Sequence, residues 1–205
     1  MSRPSSADKI LDIASQLFAE HGYAGTIMDD VAERAGVNKA TIYYHFQDKG
    51  HLYEEVLVRH LEAVVRQVTN AVNEKEDVVE KLKAYILTFA KEKDSRKNLT
   101  SIMMREIAGG GDKMPNRAKA LMHQVLMLVK SILDQGVNED LFVPTDILTL
   151  HMMVIGSLSF YITSEPMRKM MVSSDANIQD AFKNSNSEKV ALDIYEMVKR
   201  AVLKT

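Results

Sequence analysis

Thr26-Ile27-Met28-Asp29-Asp30-Val31-Ala32-Glu33-Arg34-Ala35-Gly36-Val37-Asn38-Lys39-Ala40-Thr41-Ile42-Tyr43-Tyr44-His45-Phe46-Gln47-Asp48-Lys49 reads as two short helices joined by a tight turn. Each half opens with a start signal. Thr26 followed by Asp29 has the pattern of a capping box, in which a hydroxyl accepts from an orphan N–H and a carboxylate reaches back. Asn38 can cap the second helix in the same way. Gly36 ends the first, because the turn there needs a positive φ that only glycine adopts without cost. Ala32, four residues earlier, leaves room for a close helix crossing, and Val31, Ala35, Val37 and Ile42 make a small shared core. The second helix, from Asn38 to Phe46, then exposes Lys39, Thr41, Tyr43, Tyr44 and His45. So short a surface, so rich in rings and hydrogen-bonding groups, suits a groove lined with phosphates. The reading is a helix-turn-helix.

Working outward, residues 10–57 resemble the DNA-binding domain of the TetR family of bacterial transcriptional repressors. The residues that carry the resemblance are Ile10, Ala14, Leu17 and Phe18 on a first helix, then Gly22-Tyr23, Thr26, Val31-Ala32, Ala35-Gly36-Val37, Thr41 to Phe46, Lys49 and Leu52. They cover about a quarter of the chain, and the rest carries no motif that we match. The resemblance implies an all-α fold: an N-terminal three-helix helix-turn-helix domain (residues 1–50) and a C-terminal antiparallel helical bundle (residues 51–205) with dimerisation helices. It implies a homodimer on a double-stranded, pseudo-palindromic DNA operator, released by a small-molecule effector, since a lone recognition helix reads only a few base pairs. Expected DNA contacts are Thr26, Tyr43, Tyr44, His45 and Lys49 at phosphates, with Lys49 matching the family's phosphate-binding lysine. Lys39, Ala40 and Thr41 are expected nearest the base edges. Ala40 stands where glycine is common, and Val37 and Asn38 replace small hydroxylic residues, so no operator sequence carries over.

Charge runs against a simple basic footprint. The first fifty residues hold five bases and seven acids, so non-specific affinity should be modest and salt dependence shallow. The whole chain of 205 residues has a net charge of −2 and no cysteine, which excludes disulfides and thiolate metal sites. The N-terminal residues do not resemble a signal peptide. The most apolar run, Ile147 to Ile162, is interrupted by His151 and is shorter than the roughly 20 residues a bilayer span requires. A cytoplasmic protein with no membrane partner is expected, with that run as a buried helix.

Helical signals continue along the chain. Ser5 and Asp8 cap a first helix that ends near Gly22; Asp48 caps a long helix to about residue 73 that joins the two domains; further helices are expected from Asp77 to about Lys93 and from Leu99 to Ala108. After the stop Gly109-Gly110-Gly111, Pro115 begins a Met- and Leu-rich helix ended by Gly136. Pro144 opens another to about Met171, with Pro166 kinking or breaking it near its end. Ser173 to Ser187 reads as a loop, and a last helix runs to about Leu203. No strand pattern competes.

Two regions of the C-terminal part carry functional expectations. Small residues on the run Thr149 to Phe160 and on the last helix would let another helix approach closely. Packing within the chain and packing against a second copy both fit that pattern. The family resemblance implies the latter, through Thr149, Met153, Gly156, Ser157 and Phe160 with Ala191, Ile194 and Val198. The thirteen methionines suit either an adaptable apolar pocket or ordinary core. The candidate effector residues are Tyr85, Phe89, Met103, Met122, His123, Met127, His151, Met152 and Tyr161, with the aromatic rings as walls and the histidines as hydrogen-bonding handles. Neither histidine has a second ligand at metal spacing, so no metal and no cofactor is expected. No Gly-x-Ser-x-Gly elbow or His-Glu-x-x-His pattern is present, and the triple glycine has no phosphate-loop lysine, so no enzymatic activity is expected. The competing reading is a helical ligand-binding or protein-interaction module that has lost specific DNA binding; the acidic N-terminal domain is its support.

Overall fold

A computed structural model describes residues 5–172 and 186–204. Among them are ten helices: α1 (Ser6–Gly25), α2 (Met28–Ala35), α3 (Lys39–Phe46), α4 (Lys49–Asn73), α5 (Val78–Ser95), α6 (Lys97–Ala108), α7 (Asn116–Asn138), α8 (Ile147–Thr163), α9 (Glu165–Val172) and α10 (Ser187–Val202). The fold is all-α, and the only β element among these residues is an isolated bridge between Phe142 and Leu203. Most of the loop expected from Ser173 lies outside the described residues.

Helix starts follow local side-chain chemistry. Ser5, Asn38, Asp77, Asp146 and Asn186 each accept the N–H three residues on, and Asp48 accepts that of His51 at 2.8 Å. Each such cap is worth about 1 kcal/mol. Gly36 takes the left-handed turn (φ 63°, ψ 39°), as its position before Asn38 requires. Gly22 also has a positive φ inside α1, but with an extended ψ (φ 71°, ψ 177°), and breaks that helix where the sequence ends it.

By packing, the chain divides into two units that do not follow a cut at residue 50. The first joins Met1–Glu62 to Asn98–Leu121; the second joins Ala63–Lys97 to Met122–Thr205. In the first, Ile10, Leu17, Phe18, Val31, Ala35, Ile42, Leu52, Tyr53, Val56 and Leu57 form the core. Tyr53 stands edge-on to both Phe18 and Tyr23, and its hydroxyl donates to the buried Glu106 at 2.6 Å. Arg105 donates to the carbonyls of Ala19 and Glu20 (3.0 and 2.8 Å), which satisfies the end of α1 ahead of Gly22. In the second unit α5 packs chiefly on α10, and both meet α8. Leu82, Tyr85, Ile86, Val129, Ile132, Leu150, Val154, Leu158, Ala191, Tyr195 and Val198 are buried there.

Four expectations are corrected. Thr26 does not cap α2: its hydroxyl donates back to the Gly22 carbonyl at 2.8 Å, and the N-cap residue is Ile27, which has no capping side chain. The break at Gly22 exposes that carbonyl, and the hydroxyl is the nearest donor. Gly136 does not end α7, which continues to Asn138; a Cβ there would lie 2.0 Å from the Phe142 ring, so the glycine is a close-approach site. Asp146, rather than Pro144, opens α8. The break expected at Pro166 is present: that helix stops at Ser164 and α9 departs at 60°, because Pro166 offers no N–H to the Ile162 carbonyl. Arg168 seals the break, donating to Ser164 Oγ at 2.8 Å and to the Tyr161 carbonyl. Among the described residues no single helix is long and apolar enough to cross a bilayer; α8 and α9 reach that length only together, across the bend. α8 is buried on one face only: Leu148, Met152, Met153 and Phe160 are exposed on the other.

Candidate nucleic-acid interface and effector region

The helix-turn-helix is assembled from local causes. α2 ends on Gly36, Asn38 accepts from Thr41 N–H at 3.1 Å to start α3, and Ile42 and Phe46 anchor α3 in the core. With those two positions inward, Lys39, Ala40, Tyr43 and Tyr44 face outward; Tyr44 is 84% exposed. Its ring meets that of His45 edge-on at 5.3 Å and is otherwise turned to solvent, a position set by its place on α3. Thr41 and His45 are half-buried, and His45 Nε2 lies 2.9 Å from Ser6 Oγ.

The two lysines expected at phosphates already have partners. Lys39 Nζ is 2.9 Å from the Asp29 carboxylate, which raises its pKa above the ordinary lysine value. Lys49 Nζ sits 4.7 Å from the Tyr23 ring centroid and donates to the Ala24 carbonyl at 3.4 Å; burial lowers its pKa below the ordinary value. Both side chains are therefore held in place beside α3, at the cost of a competing contact. Thr26 is set apart: it is 2% exposed and both its N–H and its hydroxyl bond to Gly22 O, so no phosphate reaches that hydroxyl as it stands. Two exposed residues beside this face were not among those expected. Ile27 projects ahead of α2, and Gln47 follows α3 with a positive φ of 60°. A lone β-branched residue before a helix and a glutamine after one carry no distinctive sequence signal.

The candidate effector residues are only partly brought together. Tyr85, Phe89 and His151 meet in the interior of the second unit: Tyr85 OH is 2.9 Å from His151 Nδ1, and Phe89 stands edge-on to the imidazole at 6.4 Å. Burial and the charge of Lys93 push the His151 pKa down to about 4, and burial pushes the Tyr85 phenol up. The neutral imidazole thus accepts through Nδ1 from a phenol that keeps its proton. Lys93 lies 5.2 Å from the Phe89 centroid and donates to Ser159 Oγ at 2.8 Å; burial brings its pKa down to about 8. Tyr161 lies under the Arg168 guanidinium instead, at 3.8 Å. Met122, His123, Met127 and Met152 are exposed, and Met103 is buried in the other packing unit. Helical periodicity could not separate those faces. A cleft of about 560 Å³ opens elsewhere, between α5 and the start of α10, lined by Leu87, Ala90, Lys91, Asp94, Glu188 and Ala191 among others. None of the candidate effector residues lines it.

Of the expected dimer residues, Thr149, Met153, Gly156, Ser157 and Phe160 lie on the exposed face of α8, where a Cβ on Gly156 would meet nothing within 4 Å. Ala191 and Val198 are corrected: they are buried inside the chain, because the small apolar side of α10 packs on α5. Ile194 is half-buried, and α10 turns Leu192 and Met197 outward.

A three-helix N-terminal head with an exposed, end-capped α3, joined to a helical body, defines a helix-turn-helix transcriptional regulator. The profile described as "Bacterial regulatory proteins, tetR family" matches residues 10–56, and that described as "YsiA-like protein, C-terminal region" matches residues 57–182. The chain belongs to the tetR family of bacterial regulatory proteins. It is 36% identical over 89 residues to the HTH-type transcriptional activator FasR of Mycolicibacterium smegmatis, covering 43% of this chain and 41% of FasR. It is 50% identical over 48 residues to the icaADBC biofilm-operon negative regulator IcaR of Staphylococcus aureus, covering 23% of this chain and 26% of IcaR. The chain thus matches less than half the length of either relative. The fold is similar throughout to that of the transcriptional regulator FadR of Bacillus subtilis, solved in complex with stearoyl-CoA: the TM-score is 0.74 at 18% identity, over 95% of this chain and 98% of that one.

Proposed function

We propose that the chain acts as a homodimeric repressor that binds a pseudo-palindromic DNA operator and is released by a small, mainly apolar effector. The observation that carries the reading is the outward face of α3, where Tyr44 is 84% exposed on a helix capped by Asn38 and anchored by Ile42 and Phe46. Lys39, Ala40 and Thr41 are assigned to base edges; Tyr43, Tyr44, His45 and Lys49 are assigned to phosphates. In this reading Lys39 exchanges Asp29 for a phosphate, and the small basic complement leaves positioning to hydroxyls and amides. Repression is taken from IcaR, named a negative regulator, although FasR is named an activator.

For dimerisation the support is the uncharged outer face of α8, with Leu148, Met152, Met153 and Phe160 exposed around Gly156; Leu192 and Met197 of α10 are exposed as well. A second copy is the occupant that places two recognition helices in successive major grooves. The residues proposed at that face are Thr149, Met153, Gly156, Ser157 and Phe160, with Ile194 at its edge. For the effector, a long acyl chain is proposed, carried over from the FadR complex with stearoyl-CoA. Tyr85, Phe89 and His151 are its proposed contacts. α4 supplies residues to both packing units and is the proposed lever; a ligand shifts DNA affinity only by its own preference between the two states.

The test is selection of bound duplexes from a randomised library at near-physiological salt. An enriched palindrome supports the reading, and acyl-CoAs of graded length are then screened for release. The second reading, a helical module that no longer binds a specific site, is favoured by the engagement of Lys39 by Asp29. Weak association with every duplex, abolished by salt, would establish it.

A further inference from the structure

The junction between α3 and α4 holds an unusual piece of backbone. Gln47 has φ 60° and ψ −58°, and the Asp48 N–H donates to the Phe46 carbonyl across it at 2.6 Å. A bond spanning one residue at a positive φ and negative ψ is the rarer of the two γ-turns, and a strained one. Glycine adopts such a φ freely; glutamine does not. A strained residue persists only where its surroundings over-determine it.

The surroundings are specific. The Gln47 N–H is held by the Tyr43 carbonyl at 2.9 Å. The Phe46 carbonyl accepts a second bond, from His51 Nδ1 at 2.9 Å, and because a carbonyl only accepts, the imidazole carries its proton on Nδ1 there. His51 is fixed from two other directions: its own N–H donates to Asp48 Oδ1 at 2.8 Å, and its Nε2 lies 3.5 Å from Glu55, which is itself paired with Arg117. The imidazole therefore ties the last carbonyl of α3 to the first turn of α4, across the strained residue.

We infer that His51 is a positioning residue for DNA recognition: by donating to the Phe46 carbonyl it holds Gln47 in the strained turn and fixes the angle at which α3 presents Tyr43 and Tyr44. The inference rests on α3 being the recognition helix. His51 itself touches no DNA in this account, and its effect passes through the backbone.

The experiment uses the full chain and compares His51→Ala, His51→Asn and Gln47→Gly, alone and combined, on a selected operator and on a random duplex of equal length. His51→Ala weakens operator binding roughly tenfold, the order expected when one hydrogen bond to a positioning group is lost. Random-duplex affinity stays within about twofold, since the long-range charge attraction that dominates it is insensitive to the angle of α3, whereas the base-edge contacts assigned to Lys39, Ala40 and Thr41 are not. His51→Asn, whose Nδ2–H stands in for Nδ1–H, recovers most of the loss. In the Gln47→Gly background the turn is unstrained, so His51→Ala costs less than about threefold there, a coupling that independent sites would not show. Equal losses on both duplexes, additive effects of the two substitutions, or no loss at all would each overturn the inference. An NMR readout separates this outcome from failure of the underlying reading. If no operator is found, the Gln47 backbone shifts in His51→Ala still decide the point: a move out of the positive-φ region supports the tie, and unchanged shifts refute it.

Discussion

The outer faces of α3 and α8 both expose aromatic side chains, yet they are built for different company. On α3, Tyr44 stands among Lys39, Thr41, Tyr43 and His45, and each apolar ring carries or adjoins a hydrogen-bonding group. On α8, Phe160 is 62% exposed among Leu148, Met152, Met153 and Gly156, with no charge between them. The first face can meet water and a phosphate-lined groove in turn, because its polar groups are satisfied either way. The second loses free energy for as long as it stays wet. In the proposed reading one face is thus suited to reversible contact and the other to lasting cover.

The comparison breaks most completely at α8. Phe160→Glu should leave the protein monomeric at micromolar concentration in sedimentation equilibrium, and operator affinity should fall roughly a hundredfold, the order of avidity lost when two linked sites become one. A dimer that survives this change would remove α8 from the interface. On the α3 side, Tyr44→Ala and Lys49→Ala should each cost roughly tenfold to a hundredfold in operator affinity while the dimer persists. Lys49→Ala should also flatten the dependence of log affinity on log salt by about one unit. Wild-type-like titrations for both variants would take the recognition role away from α3.

Smaller effects test the body that carries these faces. Gly136→Ala, which in an ordinary helix would add about 1 kcal/mol, should instead destabilise by about 1–3 kcal/mol because its Cβ meets the Phe142 ring at 2.0 Å. A raised thermal midpoint would contradict that contact. His151 should give the slightest signal. Its pKa is about 4 in the folded chain and about 6.5 when unfolded, so between those values the unfolded state binds more protons and stability falls as the pH falls. Denaturant titration at pH 5.5 against pH 7.5 should show wild type losing about 1 kcal/mol more than His151→Asn, whose amide oxygen accepts from Tyr85 without titrating. Equal losses would mean that the imidazole takes up its proton in the folded chain as readily as in the unfolded one.

What could be read in advance was whatever is decided within a few residues. Asn38 caps α3 and Gly36 turns left-handed because each acts on its own neighbours. Ile42 and Phe46, four apart, leave Tyr43 and Tyr44 outward by helix geometry alone. Gly136 misled because its partner, Phe142, lies across a turn, and a glycine needed for space looks like one needed for a bend. Thr26 misled because its hydroxyl could either accept from the N–H groups that open α2 or donate to a carbonyl behind it, and the break at Gly22 decided it. The effector residues were the least legible: periodicity marks an apolar stripe without saying which neighbour covers it, so exposed Met152 and buried His151 stand side by side.

The first packing unit is made of two stretches, Met1–Glu62 and Asn98–Leu121, with 35 residues of the other unit running between them. During synthesis, then, α1 to α3 leave the ribosome well before Arg105 can close the end of α1 and before Glu106 can meet Tyr53. The head waits, unfinished, for a segment made later. A fragment ending near residue 60 would lack those ties, and a chimera that exchanges only the N-terminal sixty residues would join a head to another protein's fastenings. Shuffling of this head between bodies is therefore a matter of moving two pieces together.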